Sequence, residues 1–304
     1  MAGSLKRFLS YVEIRTKLAS FFPFLLGIFY GLYAYGQINW LNTALFFVSM
    51  ICFDMSTTAL NNYMDTKINQ APLPLAKGTA RRLLFLMLTI AVISGLLLVW
   101  RSGLIVLACG ALCFLVGIIY TFGPVTISHL PLGEAFSGIF MGFFIPFLTI
   151  FINAPPDRLV DYALQGPVFL LSVNLVQIMN LIILAVPAIT GIAGIMLANN
   201  ICDLDYDRSV NRFTLPHYIG VKIALRLFAG LYYVAFAAII AMVALKILPL
   251  YGLVVLLAIV PVQANLRKFF KQQIKRVTFP LSVQNFTLII VMQIAVVVIA
   301  LLIR

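Results

Sequence analysis

Nine stretches of predominantly apolar residues run through this chain, and they decide its solvent before any other feature is considered. About 20 such residues in a helix cross the ~30 Å hydrocarbon core of a bilayer. The stretches fall at approximately 18–36, 41–62, 82–100, 102–121, 132–152, 178–199, 222–245, 248–265 and 280–303. Hydrophobic residues fill 63% of 304 positions and charged residues 10%, against roughly 25% charged in soluble domains. The expectation is an all-α, polytopic membrane protein whose helices satisfy their own backbone polar groups. The run from Pro167 to Ala198 is too long for one level crossing, and Asn174, Gln177, Asn180 and Pro187 interrupt it. It predicts an external approach segment followed by a kinked helix. The first span follows a basic stretch, as a signal peptide's core does. However, Lys17 to Gly36 is long and no small-residue cleavage site precedes Gln37, so it reads as a retained helix.

The net charge of +12 could suggest nucleic acid. The basic residues sit between apolar spans rather than on a soluble domain with interleaved aromatics, which argues against a nucleic-acid partner. Membrane topology explains them better. With the N-terminus inside, only Arg101, Arg158, Lys246 and Arg304 of the 21 Lys and Arg fall outside, the expected positive-inside bias. Cys52, Cys109, Cys113 and Cys202 have no disulfide or zinc spacing and read as packing residues. Connections at 35–40, 101–103 and 246–251 are short, implying antiparallel neighbours. The cytoplasmic connections 62–81, 122–131 and 200–222 are longer and more polar, so chemistry should gather there.

Two of those connections open on similar words. Span two ends Asn61-Asn62-Tyr63-Met64-Asp65 and span six ends Asn199-Asn200-Ile201-Cys202-Asp203. Each is the second helix of a four-helix set if the chain is two related sets, plus one appended helix, around a central cavity. Only nine carboxylates exist, and ionisable groups at a membrane edge usually face a polar cavity. Asn61 and Asp65 are four apart, as are successive members of Asn199, Asp203 and Asp207, which puts each set on one helix face. Oxygen ligands without His or Cys suit Mg2+, which binds through one or two carboxylates plus substrate phosphates. Lys67, Arg208 and Arg212 lie close by and could balance a diphosphate. The plain alternative is that these residues cap helix ends while the cations serve topology. Asp54, three helical turns before Asp65, points toward the face of Asn61. It is either a polar group near an acceptor substrate or a buried Asp satisfied by Ser56, Thr57 or a neighbouring helix. Glu134 reads as a helix N-terminal acid, Asp205 as solvated or outside the ligand set, and His129 and His217 as interfacial.

These residues resemble the UbiA superfamily of intramembrane prenyltransferases, in particular its 1,4-dihydroxy-2-naphthoate polyprenyltransferase branch of menaquinone synthesis. The first aspartate motif matches Asn61 to Asp65. The second matches Asn199 to Arg208, continuing to Thr214-Leu215-Pro216 and Gly220. The branch is indicated by Glu13-Ile14-Arg15-Thr16-Lys17, by Tyr120-Thr121-Phe122-Gly123-Pro124 and by Pro131-Leu132-Gly133-Glu134. Three positions depart from the pattern: Asn69 stands where many relatives carry a third acid, Val125 where some carry a basic residue, and Phe213 where one of two basic residues is lost.

The resemblance implies one membrane-embedded domain over 1–304, in the cell membrane with its N-terminus and site cytoplasmic. It implies Mg2+ held by Asn61, Asp65, Asn69, Asn199, Asp203 and Asp207, with Asp65, Asp203 and Tyr120 as catalytic candidates. Arg15, Lys67, Arg208, Arg212 and Asp54 are the candidates for contact with diphosphate or acceptor, while Lys17 reads as a topology charge. The substrates implied are a polyprenyl diphosphate, its tail in a lipid-open tunnel, and an aromatic acceptor that loses a carboxylate and a proton. Prenylation of 4-hydroxybenzoate is the nearest alternative reaction. An ion-coupled transporter is the alternative class, although transporter sites usually lie near the midplane. The Asp-Gly-x2-Ala-Arg run of phosphatidyltransferases is absent.

Overall fold

The structure, a computed structural model, describes residues 2–68, 72–123 and 126–304, with positions 2, 3, 65, 67 and 68 described by their backbone alone. Among the described residues nine helical segments are long and apolar enough to cross a membrane, from Ile14–Tyr35 to Phe279–Ile303. The helices are α1 (Ala2–Tyr11), α2 (Leu18–Tyr35), α3 (Trp40–Ile68), α4 (Lys77–Ser102), α5 (Leu104–Thr121), α6 (Gly133–Ile139) and α7 (Ile145–Phe151). After a β-hairpin follow α8 (Leu175–Cys202), α9 (Leu204–Ser209), α10 (Leu215–Ala244), α11 (Ile259–Lys271) and α12 (Phe279–Ile303). α3 packs on α4 and α8 on α10, while α12 lies against both α2 and α8, so the last span joins the two halves. α4 and α5 turn broad apolar faces outward, with Phe85, Leu86, Ile93, Leu96 and Leu115 exposed. Lipid, being as apolar as these side chains, solvates them at no hydrophobic penalty.

Without a hydrophobic force between helices in lipid, close approach depends on small residues. The fifth span shows this. A π turn over Phe140–Phe144 joins α6 to α7, and a Cβ on its Gly142 would stand 2.5 Å from the Ile189 backbone of α8. Any side chain there would push the fifth and sixth spans apart. Pro187 is accommodated inside α8.

The external approach segment expected before α8 is an antiparallel hairpin, β1 (Val160–Gln165) with β2 (Val168–Val173). Its apolar run carries no helical period and turns at Gly166, whose φ of 60° suits glycine. Tyr162 Oη accepts from the Leu104 backbone N–H at 3.3 Å, fixing the hairpin beside the start of α5. Trp40 and Trp100, both exposed, mark the same membrane face. The two Asn-Asn motifs end α3 and α8 at the opposite face.

Candidate functional site

The second cluster occupies the point where α8 hands over to α9. Asn199, Asp203 and Asp207 were expected on one continuous helix, yet α8 stops at Cys202 and Asp203 takes φ −99°, ψ 6°. The four-residue rhythm survives the break because Asp203 N–H donates to the Asn199 carbonyl (3.0 Å) and Asp207 N–H to that of Asp203 (2.8 Å). Asn199 Oδ1 and Asp203 Oδ2 converge on one cation, the ammonium of Lys275. Asp207 is 1% exposed, and its Oδ1 has no hydrogen-bond partner. The guanidinium of Arg212 stands 3.7 Å from that oxygen, and Thr214 Oγ1 donates to Oδ2 at 3.5 Å. Burial pushes the Asp207 carboxyl above its ordinary pKa range, with Arg212 and Lys275 pulling it back. Oxygens gathered around a cation, with one buried carboxylate oxygen lacking a hydrogen bond, suit a hard divalent ion. Among the described residues no three His, Cys, Asp or Glu side chains already converge on one point.

The surrounding cations are placed by local contacts. Arg212 Nε donates to the Ser128 carbonyl at 2.9 Å, tying the 126–130 segment to the cluster. Arg208 is exposed, and its Nε meets His217 Nδ1 at 3.4 Å; Asp205 is exposed. Lys275, which no spacing in the sequence relates to Asn199, was not among the expected site residues. Gly220, at φ 74°, separates the first turn of α10 from its membrane-spanning part.

The first cluster sits at the end of α3. Asn61 is half-buried there, while the side chains of Asp65 and Lys67, and Asn69 and Val125 altogether, lie outside the described residues. The second Asn of each motif has a clear role. Asn62 Nδ2 donates to the Tyr11 carbonyl (2.9 Å) and to Glu13 Oε1 (3.3 Å). Asn200 Nδ2 donates to Glu134 Oε1 at 2.9 Å. Glu134, expected only to favour a helix N-terminus, lies in the first turn of α6 but is 6% exposed and spent on Asn200. Tyr120 lies beside this pair: its Oη accepts from Ser137 Oγ (3.2 Å) and points to Met196 Sδ (3.7 Å), one turn before Asn200.

One expectation changes at the start of the first span. Lys17, taken for a topology charge, is 4% exposed and buried against Asp54. Its ammonium donates to Asp54 Oδ1 (2.6 Å), the Asp54 carbonyl (3.0 Å) and Thr58 Oγ1 (2.6 Å), and Ser20 Oγ donates to Asp54 Oδ2 at 2.6 Å. Both Asp54 oxygens are therefore engaged toward α2, the neighbouring-helix alternative, rather than by Ser56 or Thr57. Arg15 remains exposed.

Fold and site together define a polytopic membrane protein with an oxygen-rich, cation-holding centre at one membrane face. Residues 20–301 match the UbiA prenyltransferase family, and the chain belongs to that family of prenyltransferases. It is 27% identical over 240 residues to a 1,4-dihydroxy-2-naphthoate octaprenyltransferase of Bacillus subtilis (strain 168), covering 75% of this chain and 70% of that one. Its fold is similar to a UbiA homolog from Aeropyrum pernix K1, with TM-score 0.68 and 19% identity over 92% and 98% of the two chains. It is also similar to a UbiA homolog from Archaeoglobus fulgidus bound to GPP and Mg2+, with TM-score 0.66 and 11% identity over 97% and 99%.

Proposed function

We propose that this prenyltransferase moves a polyprenyl group from polyprenyl diphosphate to 1,4-dihydroxy-2-naphthoate, giving a demethylmenaquinone in its reduced form, diphosphate and CO2. One observation carries the site assignment: Asn199 and Asp203 already share a cation, beside a buried Asp207 oxygen that no hydrogen bond satisfies. The naphthoate acceptor is supported by the likeness to the Bacillus subtilis enzyme and by the Glu13 to Lys17 and Pro131 to Glu134 stretches.

In this reading Asn199, Asp203 and Asp207, with Asn61, Asp65 and Asn69 of the first motif, hold Mg2+. The metal supplies charge neutralisation for the departing diphosphate. Arg208, Arg212 and Lys67 add cationic contacts to its oxygens. The ring of Tyr120, fixed by Ser137, offers a π face near the reacting allylic carbon, and Arg15 is free to meet the acceptor carboxylate. The apolar helices house the prenyl tail and keep water from the reacting carbon. The N-terminus and site face the cytoplasm, as the distribution of Lys and Arg indicates.

Purified protein incubated with Mg2+, one long polyprenyl diphosphate and a panel of aromatic acceptors tests this by product mass. Demethylmenaquinone formation that is lost in Asp203→Ala is the expected result. A prenylated 4-hydroxybenzoate as the main product would overturn the acceptor, and no prenyl transfer to any acceptor would overturn the reaction.

A further inference from the structure

Lys275 stands in the connection between α11 and α12, more than seventy residues along the chain from the oxygens it touches. Its ammonium donates to both Asn199 Oδ1 and Asp203 Oδ2. The turn that carries it is internally braced. Thr278, 2% exposed, accepts from the Ile274 N–H through Oγ1 (2.9 Å), while the N–H groups of Val277 and Thr278 donate to the Ile274 carbonyl (3.0 and 2.8 Å). The Lys275 ammonium also lies over the Phe279 ring, 5.3 Å from its centroid. The backbone is anchored, but the side chain is 44% exposed and only its tip is held, so it can swing away without disturbing the fold.

A divalent ion ligated by Asn199 Oδ1 and Asp203 Oδ2 would lie at about 2.0–2.1 Å from each oxygen if it is Mg2+. An ammonium cannot share that space, because the two like charges would be in contact. We propose that Lys275 is the resident counter-cation of the second cluster: the divalent metal displaces it from Asn199 and Asp203, and the released ammonium becomes a ligand of the diphosphate. This rests on the metal and diphosphate reading above. The physical consequence is linkage. Metal entering alone must break the Lys275 contacts, whereas metal entering with diphosphate gives the ammonium a new anionic partner. Each ligand should therefore raise the other's affinity.

The test measures binding without turnover. Calorimetric titration of the purified protein with Mg2+, then with inorganic diphosphate in its presence, is compared for wild type, Lys275→Gln and Arg276→Gln. Arg276 is the neighbouring exposed charge and, among the described residues, makes no hydrogen bond or ion pair with the cluster. Lys275→Gln should bind Mg2+ alone about fivefold more tightly, the ~1 kcal/mol of a partly exposed ion pair. It should bind diphosphate more weakly and lose most of the mutual enhancement, while Arg276→Gln stays within about twofold of wild type. Equal Mg2+ affinity in wild type and Lys275→Gln, or equal tightening in Arg276→Gln, would overturn the proposal and leave the metal site standing. Absence of Mg2+ binding in wild type would overturn the metal reading itself. A measurement on unmodified protein does not depend on the variants folding. Amine acylation followed by mass mapping should show Lys275 more reactive with Mg2+ added and protected again by diphosphate, with Lys271 as internal reference. Reactivity of Lys275 unaffected by Mg2+ would equally sink the displacement.

Discussion

The buried Lys17–Asp54 pair gives the sharpest energetic prediction. Every donor of the Lys17 ammonium is used, two of them on Asp54 and one on Thr58, and both Asp54 oxygens are taken. Lys17→Met would leave the charged, 15% exposed Asp54 side chain against a 95% buried neighbour position, with the Ser20 hydroxyl as its remaining side-chain donor among the described residues. Breaking one side of a buried pair costs about 3–5 kcal/mol. Asp54→Asn is milder, because the amide oxygen still accepts from Lys17; losing one charged hydrogen bond there costs about 1.5–3 kcal/mol. The double variant Lys17→Met with Asp54→Leu removes both charges at once. It should recover most of the Lys17→Met loss, since apolar replacement of buried pairs is often neutral or stabilising. Denaturant titration of these variants and of Asp54→Leu alone, in one detergent, closes a double-mutant cycle and measures the coupling directly. Prenyl transfer per folded molecule should survive in the double variant, because Asp54 faces α2. Destabilisation of Lys17→Met below ~1 kcal/mol, or a double variant worse than Lys17→Met, would refute the reasoning.

Three further outcomes follow from the same geometry. Asn199→Ala and Asp203→Asn should each weaken Mg2+ binding and reduce transfer at fixed Mg2+, with thermal unfolding little changed; full activity in both would remove the second cluster from the site. Because burial raises the Asp207 pKa, a proton competes with metal for this carboxylate, so the Mg2+ concentration at half-saturation should rise as pH falls. Asp207→Asn should flatten that dependence in a titration repeated across pH. Glu134→Gln keeps an acceptor for Asn200 and should stay near wild-type stability, whereas Glu134→Leu strands the buried amide at about 1–3 kcal/mol, measurable by the same denaturant titration.

The nine spans were legible because bilayer thickness imposes a length on each and leaves little room for charge. Topology then placed both Asn-Asn motifs at one face, and oxygen chemistry suggested the metal. The outer hairpin was not legible: Val168–Val173 is a short apolar run, and such runs do not distinguish strand from helix. Nor were Lys17 and Lys275. Counting Lys and Arg by loop records which side a cation occupies, not whether its side chain stays in water, and each of these pairs with residues from 37 to 76 positions away. The handover at Asp203 escaped for a different reason. Hydrogen bonds of helical spacing continue across it, so the pattern of the sequence stays periodic where the helix itself stops.

The internal repeat gains physical content from its second asparagines. In the first half Asn62, on the second span, donates to Glu13 just before the first span. In the second half Asn200, on the sixth span, donates to Glu134 at the start of the fifth. The same donor position thus meets the same acid at the corresponding place in each half. A chance match of short words has no reason to bring equivalent contacts with it. The pairing also explains why the motif needs two adjacent asparagines. Neighbouring helix positions point about 100° apart, so one amide can turn toward the cation site only while the other is held against the adjoining span. Glu13 pays for its part in backbone strain: it sits at φ 49°, a left-handed conformation uncommon outside glycine. Surrounding contacts must hold it there, and the bond from Asn62 is one of them. The first cluster's helix end and the start of the first span are therefore fixed together, as the second cluster and the fifth span are, and each candidate ligand set inherits its position from a junction between two helices rather than from one helix end alone.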